Sequence, residues 1–250
     1  MHHPRHDSSM AHFQLERFVF FSDGVFAICI TLLVIEIKVP NREELNIYTD
    51  ASLWKYLSHA ALKFFGFFLS FGIVGHYWSV HHRIFGYAKN YTTALLWINL
   101  AFLLSVVLLP FSSGLLGEYA SDTNMYLPYG VYVANMCFTG IMNIWLWRYI
   151  SNPDRNLLTR KISQTRIRLG VYRSAVVPLM FILSFLLSPL LPVISRFIPV
   201  LIPFILHWGM KGLERKADKD AGDIILDHHT HPHEEHLTDN HKDEQDLITH

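Results

Sequence analysis

Long apolar stretches separated by short polar segments make up most of the chain. A transmembrane helix needs about 20 mostly apolar residues to cross about 30 Å of hydrocarbon, and six stretches approach or meet that length. The stretches are 18–37, 62–80 within 53–85, 92–116, 127–147, 169–191 and 197–210. The pattern predicts an all-α, polytopic integral membrane protein with six transmembrane helices.

The last stretch, 197–210, is the shortest of the six. It contains Pro199 and Pro203 and begins beside Arg196. Because proline removes a backbone donor from a helix interior, 169–191 and 197–210 are also compatible with a re-entrant pair.

The composition agrees with a membrane protein. The chain is 51% apolar and only 17% charged, whereas a soluble domain carries about 25% charged residues. Its net charge of zero excludes nucleic-acid binding through a basic surface. Cys29 and Cys137 lie inside apolar stretches and give no disulfide framework.

The distribution of Lys and Arg predicts the orientation in the membrane. With the N-terminus inside, the inside segments contain 16 of the 21 Lys and Arg residues. Both termini are therefore predicted to be cytoplasmic. The inside segments are 1–17, 83–91, 148–173 and 208–250.

Charged residues in the first apolar stretch are the strongest sign of function. Arg17 and Asp23 lie in or near hydrocarbon, with Ser22 beside them. A carboxylate at the bilayer centre costs roughly 2.5–3.5 kcal/mol, so it needs a partner and predicts a functional site. Arg17 and Asp23 are about 120° apart around a helix, so each is expected to pair with another helix or another subunit.

The second stretch offers partners for these groups near its cytoplasmic end, namely Trp78, His81 and His82. An antiparallel neighbour would bring them to the depth of Asp23. Intramembrane Asp, Arg and His could also form a proton relay, and a proton-coupled secondary transporter is the alternative function.

An apolar stripe runs along another face of the first stretch. Ile28, Leu32 and Ile35 lie within about 60° of one another, while Asp23 is about 140° from Ile28. Thr31 flanks the stripe. From periodicity alone the stripe indicates ordinary helix packing.

Two motifs carry a resemblance to a known family. Arg-x-x-x-Phe-Ser-Asp at 17–23, continued by Gly-Val-Phe-Ala-Ile-x-Ile-Thr-Leu-Leu at 24–33, resembles the first helix of the transmembrane protein 175 family. That family comprises the endolysosomal potassium channel and its prokaryotic homologues. Trp-x-x-His-His-Arg-x-Phe at 78–85 is similar to its second helix.

The resemblance implies a potassium-selective cation channel rather than an enzyme, with potassium as the permeant ion and no cofactor. It also implies a pore lined by the first helix of each repeat. Since the chain has one copy of the motif, a homotetramer in a prokaryotic plasma membrane is implied. The domains would be a cytoplasmic N-terminus at 1–16, a six-helix channel domain at 17–212 and a cytoplasmic tail at 213–250.

Site residues follow from the resemblance residue by residue. It implies an apolar constriction at Ile28, with Leu32 and Ile35 as further rings and Thr31 as the pore-side polar residue. It leaves open whether His81 or His82 joins the polar network between helices. The implied network comprises Arg17, Phe21, Ser22, Asp23, Trp78, His81 and His82.

The chain lacks the Thr-Val-Gly-Tyr-Gly carbonyl filter of ordinary potassium channels. Four copies of Ile28 could instead close a narrow dry ring that blocks ions by dewetting, and Thr31 hydroxyls could help to replace hydration oxygens. We expect Arg17 and Asp23 to position the first helix rather than to bind the ion.

Two histidine-rich stretches raise the possibility of a metal site. His76, His81 and His82 are spaced i, i+5, i+6, which scatters their rings around a helix, so a hydrogen-bonding role is favoured over a catalytic metal. The tail at 213–250 is acidic and His-rich. It is typical of a disordered segment, although His-rich tracts can hold Zn²⁺ or Ni²⁺.

Overall fold

The computed structural model describes residues 4–41, 43, 48–119, 125–159 and 162–216. Within these residues there is no β-strand, and the one isolated bridge joins Ala88 to Leu158. The predicted all-helical class is confirmed. The main helices are α1 (Pro4–Ile35), α2 (Asp50–Gly86), α3 (Thr93–Val107), α4 (Leu109–Glu118), α5 (Leu127–Ile150) and α6 (Gln164–Leu187).

Three short helical segments follow α6. They are a 3-10 helix (Ile194–Leu201), α7 (Ile202–Phe204) and a π-helix (Ile205–Gly209). The prediction of one regular helix over 197–210 is wrong. The segment forms three short helical pieces instead, because Pro199 and Pro203 lack the backbone N–H that a regular α-helix needs there. The predicted tail at 213–250 lies outside the described residues beyond 216.

Four segments of the described chain are long and apolar enough to cross a membrane. They are Phe13–Ile35, Ala60–Gly86, Thr93–Glu118 and Gln164–Leu187. The third combines α3 and α4, which are separated at Leu108, just before Pro110. These segments confirm membrane-spanning helices at four of the six predicted positions.

Helix ends differ from the sequence prediction for local reasons. The first helix begins at Pro4, well before residue 18, because a helix can extend beyond its apolar part. The fifth predicted helix ends at Leu187 rather than at 191, since Pro189 follows closely. A capping box fixes the start of α2, where the Thr49 side chain accepts from the Ser52 backbone and Ser52 accepts in return.

The core is built around α5. Half of its 24 residues are buried, and it packs against α3 and α4 as well as α6. Its composition is more polar than that of the four spans above. A 24-residue helix is nevertheless about 36 Å long, which is enough to cross about 30 Å of hydrocarbon. The first helix, α1, packs against α2, α3 and α4.

The contact between α5 and α6 depends on a missing side chain. A Cβ placed on Gly140 would lie 2.6 Å from Cγ of Pro178. Nearby, Trp147 of α5 packs over Gly170 and donates from Nε1 to the Ile167 carbonyl at 2.9 Å. Glycine therefore lets the two helix backbones approach closely, as is common between membrane helices.

Replacing Gly140 with alanine should weaken this contact. Because Pro178 is rigid and cannot rotate away, we expect Gly140→Ala to lower the free energy of unfolding by about 1–3 kcal/mol. Thermal unfolding of the purified protein in detergent measures the effect. Gly72→Ala is the matched control, since its Cβ would meet nothing within 4 Å; equal melting temperatures for the two variants would contradict the packing account.

Candidate functional site

One face of α1 is buried against the neighbouring helices. Its buried residues recur at intervals of three, four and seven, which places them on a single stripe of the helix. Phe26 in the middle of the stripe packs on His81 of α2 and Phe102 of α3, with ring centroids 5.6 and 6.0 Å away. The stripe consists of Leu15, Ser22, Phe26, Cys29 and Leu33.

A chain of hydrogen bonds crosses this buried stripe. The Ser22 hydroxyl donates to the Phe18 carbonyl at 3.1 Å, and Asn99 of α3 donates from Nδ2 to Ser22 Oγ at 2.9 Å. The other end of the Asn99 amide, Oδ1, lies 2.9 Å from Nε2 of His81. Ser22, Asn99 and His81 are fully buried, so the chain ties three helices together away from water.

With the Asn99 amide oriented as in this structure, the donors and acceptors of the chain are matched. Ser22 gives its single hydroxyl proton to Phe18, so it accepts from the amide nitrogen of Asn99. The amide oxygen must then face His81, whose Nε2 carries the proton. The His81 ring also stacks on Phe102, with centroids 5.7 Å apart and planes 6° apart. His81 is therefore held as a hydrogen-bond donor in an aromatic pocket.

A second contact joins α1 to α2 at the edge of the buried stripe. Trp78 donates from its indole Nε1 to Oδ1 of Asp23 at 2.9 Å. The Asp23 carboxylate thus has a charge-assisted partner. The exposed ring of His82 lies beside Trp78, with centroids 6.0 Å apart.

The structure brings some of the predicted network together and leaves other members apart. Ser22 and His81 are linked through Asn99, and Asp23 is linked to Trp78. Arg17 instead lies over the Phe13 ring, with its guanidinium carbon 5.8 Å from the ring centroid. Phe21 is 54% exposed, and His82 is exposed.

Sequence reasoning missed Asn99. The signal was an amide in the middle of an otherwise apolar stretch, where a polar side chain needs a partner in the same way as a charge does. Asn99 is the central member of the chain, since it bonds on both sides.

The opposite face of α1 is exposed. Ile28 and Ile35 are 61% and 67% exposed and Leu32 is 38% exposed. Ile28 lies about 120° around the helix from Ser22, and Thr31 about 180°. Thr31 donates its hydroxyl proton to the Ile28 carbonyl at 2.8 Å, which leaves its oxygen lone pairs free to accept.

The end of α1 is positioned by α4. The Glu36 side chain lies directly over Gly114, in space that a Cβ at that position would fill. Close by, Lys63 of α2 pairs with Glu118 of α4 at 3.0 Å. The Glu36–Gly114 contact and the Ser22–Asn99–His81 chain together fix α1 near both ends of its membrane segment.

The described part of the chain contains no group of three or more His, Cys, Asp and Glu residues arranged to hold a metal ion. The N-terminal and tail histidines lie outside the residues whose side chains the structure describes. The arrangement within the described residues is a helix held in a fixed rotation, with one face unpartnered.

Comparison with known proteins gives a consistent result. Residues 17–110 match the family model described as endosomal/lysosomal potassium channel TMEM175. A potassium channel of Streptomyces collinus is 31% identical over 175 residues, which are 68% of this chain and 82% of the relative. The endosomal/lysosomal proton channel TMEM175 of Gallus gallus is 34% identical over 112 residues, 44% of this chain but only 22% of that protein.

The fold is also similar to that of a solved structure. The crystal structure of a lysosomal potassium-selective channel TMEM175 homolog from Chamaesiphon minutus superposes with a TM-score of 0.64 at 28% sequence identity. The match covers 76% of this chain and 95% of that one.

Removing the central amide should loosen α1. Asn99→Leu keeps the number and branching of the side-chain heavy atoms but leaves His81 Nε2 buried without its acceptor, which costs about 1–3 kcal/mol. We expect faster amide hydrogen exchange along α1, measured by mass spectrometry in detergent. The control is Asn143→Leu, which removes a 2.8 Å bond to Ser174 in the α5–α6 contact. If α1 remains as protected in Asn99→Leu as in Asn143→Leu, the amide does not hold it.

Proposed function

The chain belongs to the TMEM175 family of potassium channels, and on that premise we propose that four copies of it form a potassium-selective channel whose pore is lined by α1. Membership places it among multi-pass membrane channels rather than enzymes. The observation that carries the proposal is the exposed apolar face of α1, which lies opposite the stripe that fixes its rotation.

Two adjacent stripes on the exposed side support a pore made from several copies of α1. Small residues, Gly24, Ala27 and Thr31, lie within about 60° of one another, and small residues let membrane helices approach closely. Ile28 is about 60° from Thr31 on the neighbouring stripe. Ala27, at the edge of the small-residue stripe away from Ile28, can therefore contact the next copy of α1, while Thr31 and Ile28 face a central axis.

The chemistry of the proposed pore face suits a cation. Four Ile28 side chains would form an apolar constriction that excludes ions when dry, with Leu32 and Ile35 as further rings. Because the Thr31 proton is used within its own helix, the hydroxyl oxygen is left as an acceptor. A ring of such acceptors can replace part of a cation's hydration shell and offers nothing to an anion.

The hydrogen-bonded residues of α1 have a positioning role in this proposal. Ser22 and Asp23 contact other helices of the same chain, and neither belongs to the Ile28 stripe. Arg17 lies near the start of the apolar part of α1, and an interaction with a neighbouring copy would complete the network that the resemblance implies. The permeant ion would therefore meet Ile28 and Thr31 rather than the charged groups.

We also propose six spans with both termini cytoplasmic, in a prokaryotic plasma membrane. In addition to the four apolar segments, α5 supplies a span by its length and the segment from Ile194 to Gly209 supplies the last. The excess of Lys and Arg on the proposed inside supports this orientation. The channel domain would then comprise 17–212.

Proton conduction is the second candidate. It is favoured by the name of the vertebrate relatives, although this chain spans only about a fifth of their length. Currents measured with opposed proton and potassium gradients separate the two functions. The reversal potential follows the potassium gradient if the first proposal holds and the proton gradient if the second does.

Replacing the constriction residue with a polar one tests the pore. Ile28→Asn would keep the ring hydrated, so we expect several-fold larger potassium flux in proteoliposomes, with weaker discrimination against sodium. The matched control is Ile141→Asn on α5, because Ile141 is exposed to a similar degree, 57% against 61%. Equal flux in wild type and Ile28→Asn, or an equal rise in Ile141→Asn, would remove Ile28 from the pore.

A further inference from the structure

A large groove lies outside the contacts of α1, and no α1 residue lines it. Its volume is about 580 Å³, and it runs between α2, α6 and the short helices after α6. Apolar side chains form most of its wall, among them Phe65, Phe68 and Leu206. This volume lies within the range of pockets that bind small organic ligands.

Arginines gather at one end of the groove. Arg83 near the end of α2 and Arg173 of α6 line both the groove and an adjoining cleft, where Arg166 and Tyr87 join them. Arg166 approaches the Tyr87 hydroxyl at 3.5 Å. Two guanidinium groups therefore lie at this end of the groove, and a third lies in the cleft beside it.

Few carboxylates balance this charge. Arg173 pairs with Glu214, but a guanidinium has five N–H donors. Arg83 has no salt bridge to a carboxylate in the part of the chain that the structure describes. Arg83 therefore leaves a positive charge at this end of the groove, which suits an anion such as a phosphate group.

Arg173 lies near the start of the apolar part of α6. It is nine residues into α6, about 14 Å along the helix from Gln164. An arginine within a membrane helix is costly and marks a functional site unless its charge is fully compensated. An anionic group in the groove would supply the compensation that Glu214 gives only in part.

We propose that this groove binds one anionic phospholipid, with its phosphate at Arg83 and Arg173 and its acyl chains along α2 and α6. The apolar part separates a lipid from a free phosphate ion, which would use only the arginine end. From Arg83 to Phe65 the groove follows α2 for about 27 Å, whereas half a bilayer including headgroups is about 20–23 Å thick. One leaflet's lipid therefore fits in length.

A buried histidine supports the same occupant. His76 lines the groove two helical turns below Arg83, and its Nε2 is buried with no hydrogen-bond partner in the described structure. The His76 ring nitrogen therefore lies farther along the groove than the phosphate proposed at Arg83 and Arg173. An ester or glycerol oxygen of the lipid would give it a partner, which a free anion at the arginine end would not.

Native mass spectrometry of the full chain in detergent tests the proposal, with equal amounts of phosphatidylglycerol and phosphatidylcholine. We expect phosphatidylglycerol to bind preferentially, and Arg83→Gln to weaken this preference at least about fivefold. Arg168→Gln is the matched control, since Arg168 is an exposed arginine of α6 outside the groove lining and should leave the preference unchanged.

A second variant tests the apolar part without removing charge. Gly72 lines the groove, and a Cβ there meets nothing within 4 Å, so Gly72→Leu should fill the groove while the protein stays folded. We expect it to reduce phosphatidylglycerol binding, whereas Gly75→Leu, on the same helix and outside the lining, should not. Melting temperatures equal to wild type show that each variant folds.

Several results would overturn the proposal. Equal binding of the two lipids, or an equal loss in Arg83→Gln and Arg168→Gln, would indicate a general attraction between basic surface and lipid. Displacement of phosphatidylglycerol by inorganic phosphate at millimolar concentration would indicate a small-anion site. Unchanged binding in Gly72→Leu would mean that the acyl chains, or another occupant such as a second copy, lie elsewhere.

Discussion

The chain of hydrogen bonds from Phe18 through Ser22 and Asn99 to His81 is the constraint on which the rest of the structure depends. It lies where no water can replace a lost partner, so breaking it leaves a buried donor or acceptor unpaired at a cost of about 1–3 kcal/mol. Turning α1 by even one residue rotates it by about 100° and breaks the chain. The buried face therefore decides which face of α1 is exposed.

The two functional proposals concern different parts of the molecule, the exposed face of α1 and the groove beside α6. On one side, a fixed α1 can present Ile28 and Thr31 to other copies of the chain, and the Asp23–Trp78 bond supports its position from the edge. On the other side, α5 and α6 are locked together at Gly140 and Pro178. Of this pair, α6 lines the arginine-lined groove, so a lipid bound there would contact α2 and α6 rather than α1.

Much of the fold could be predicted, because a helix across hydrocarbon requires a long apolar run and few other patterns produce one. The pairing of Asp23 with α2 was also within reach, since an intramembrane carboxylate needs a partner. The choice between His81 and His82 was not, because adjacent residues differ by about 100° in direction and the sequence does not say which side faces α3. Asn99 was missed because it carries no charge, although a buried amide also needs a hydrogen-bond partner.

The short helices after α6 show a different limit of prediction from sequence. Pro199 and Pro203 indicated an irregular helix, but which of the α, 3-10 and π hydrogen-bond patterns forms depends on packing against α6. The start of α1 at Pro4 was equally hidden, since residues 4–12 are mostly polar and give no apolar signal. Hydropathy thus locates the membrane segments better than the helix ends.

The central claim is that the Ile28 face of α1 meets water in a pore shared by several chains. The direct measurement is thiol labelling of Ile28→Cys in a protein whose native cysteines, Cys29 and Cys137, are replaced by alanine, with Ile141→Cys as the control. A charged methanethiosulfonate reagent should modify residue 28 in proteoliposomes and block potassium flux, and should leave flux through the Ile141→Cys protein unchanged. Failure of the reagent to reach residue 28 in a conducting protein, or modification there without any change in flux, would contradict the claim.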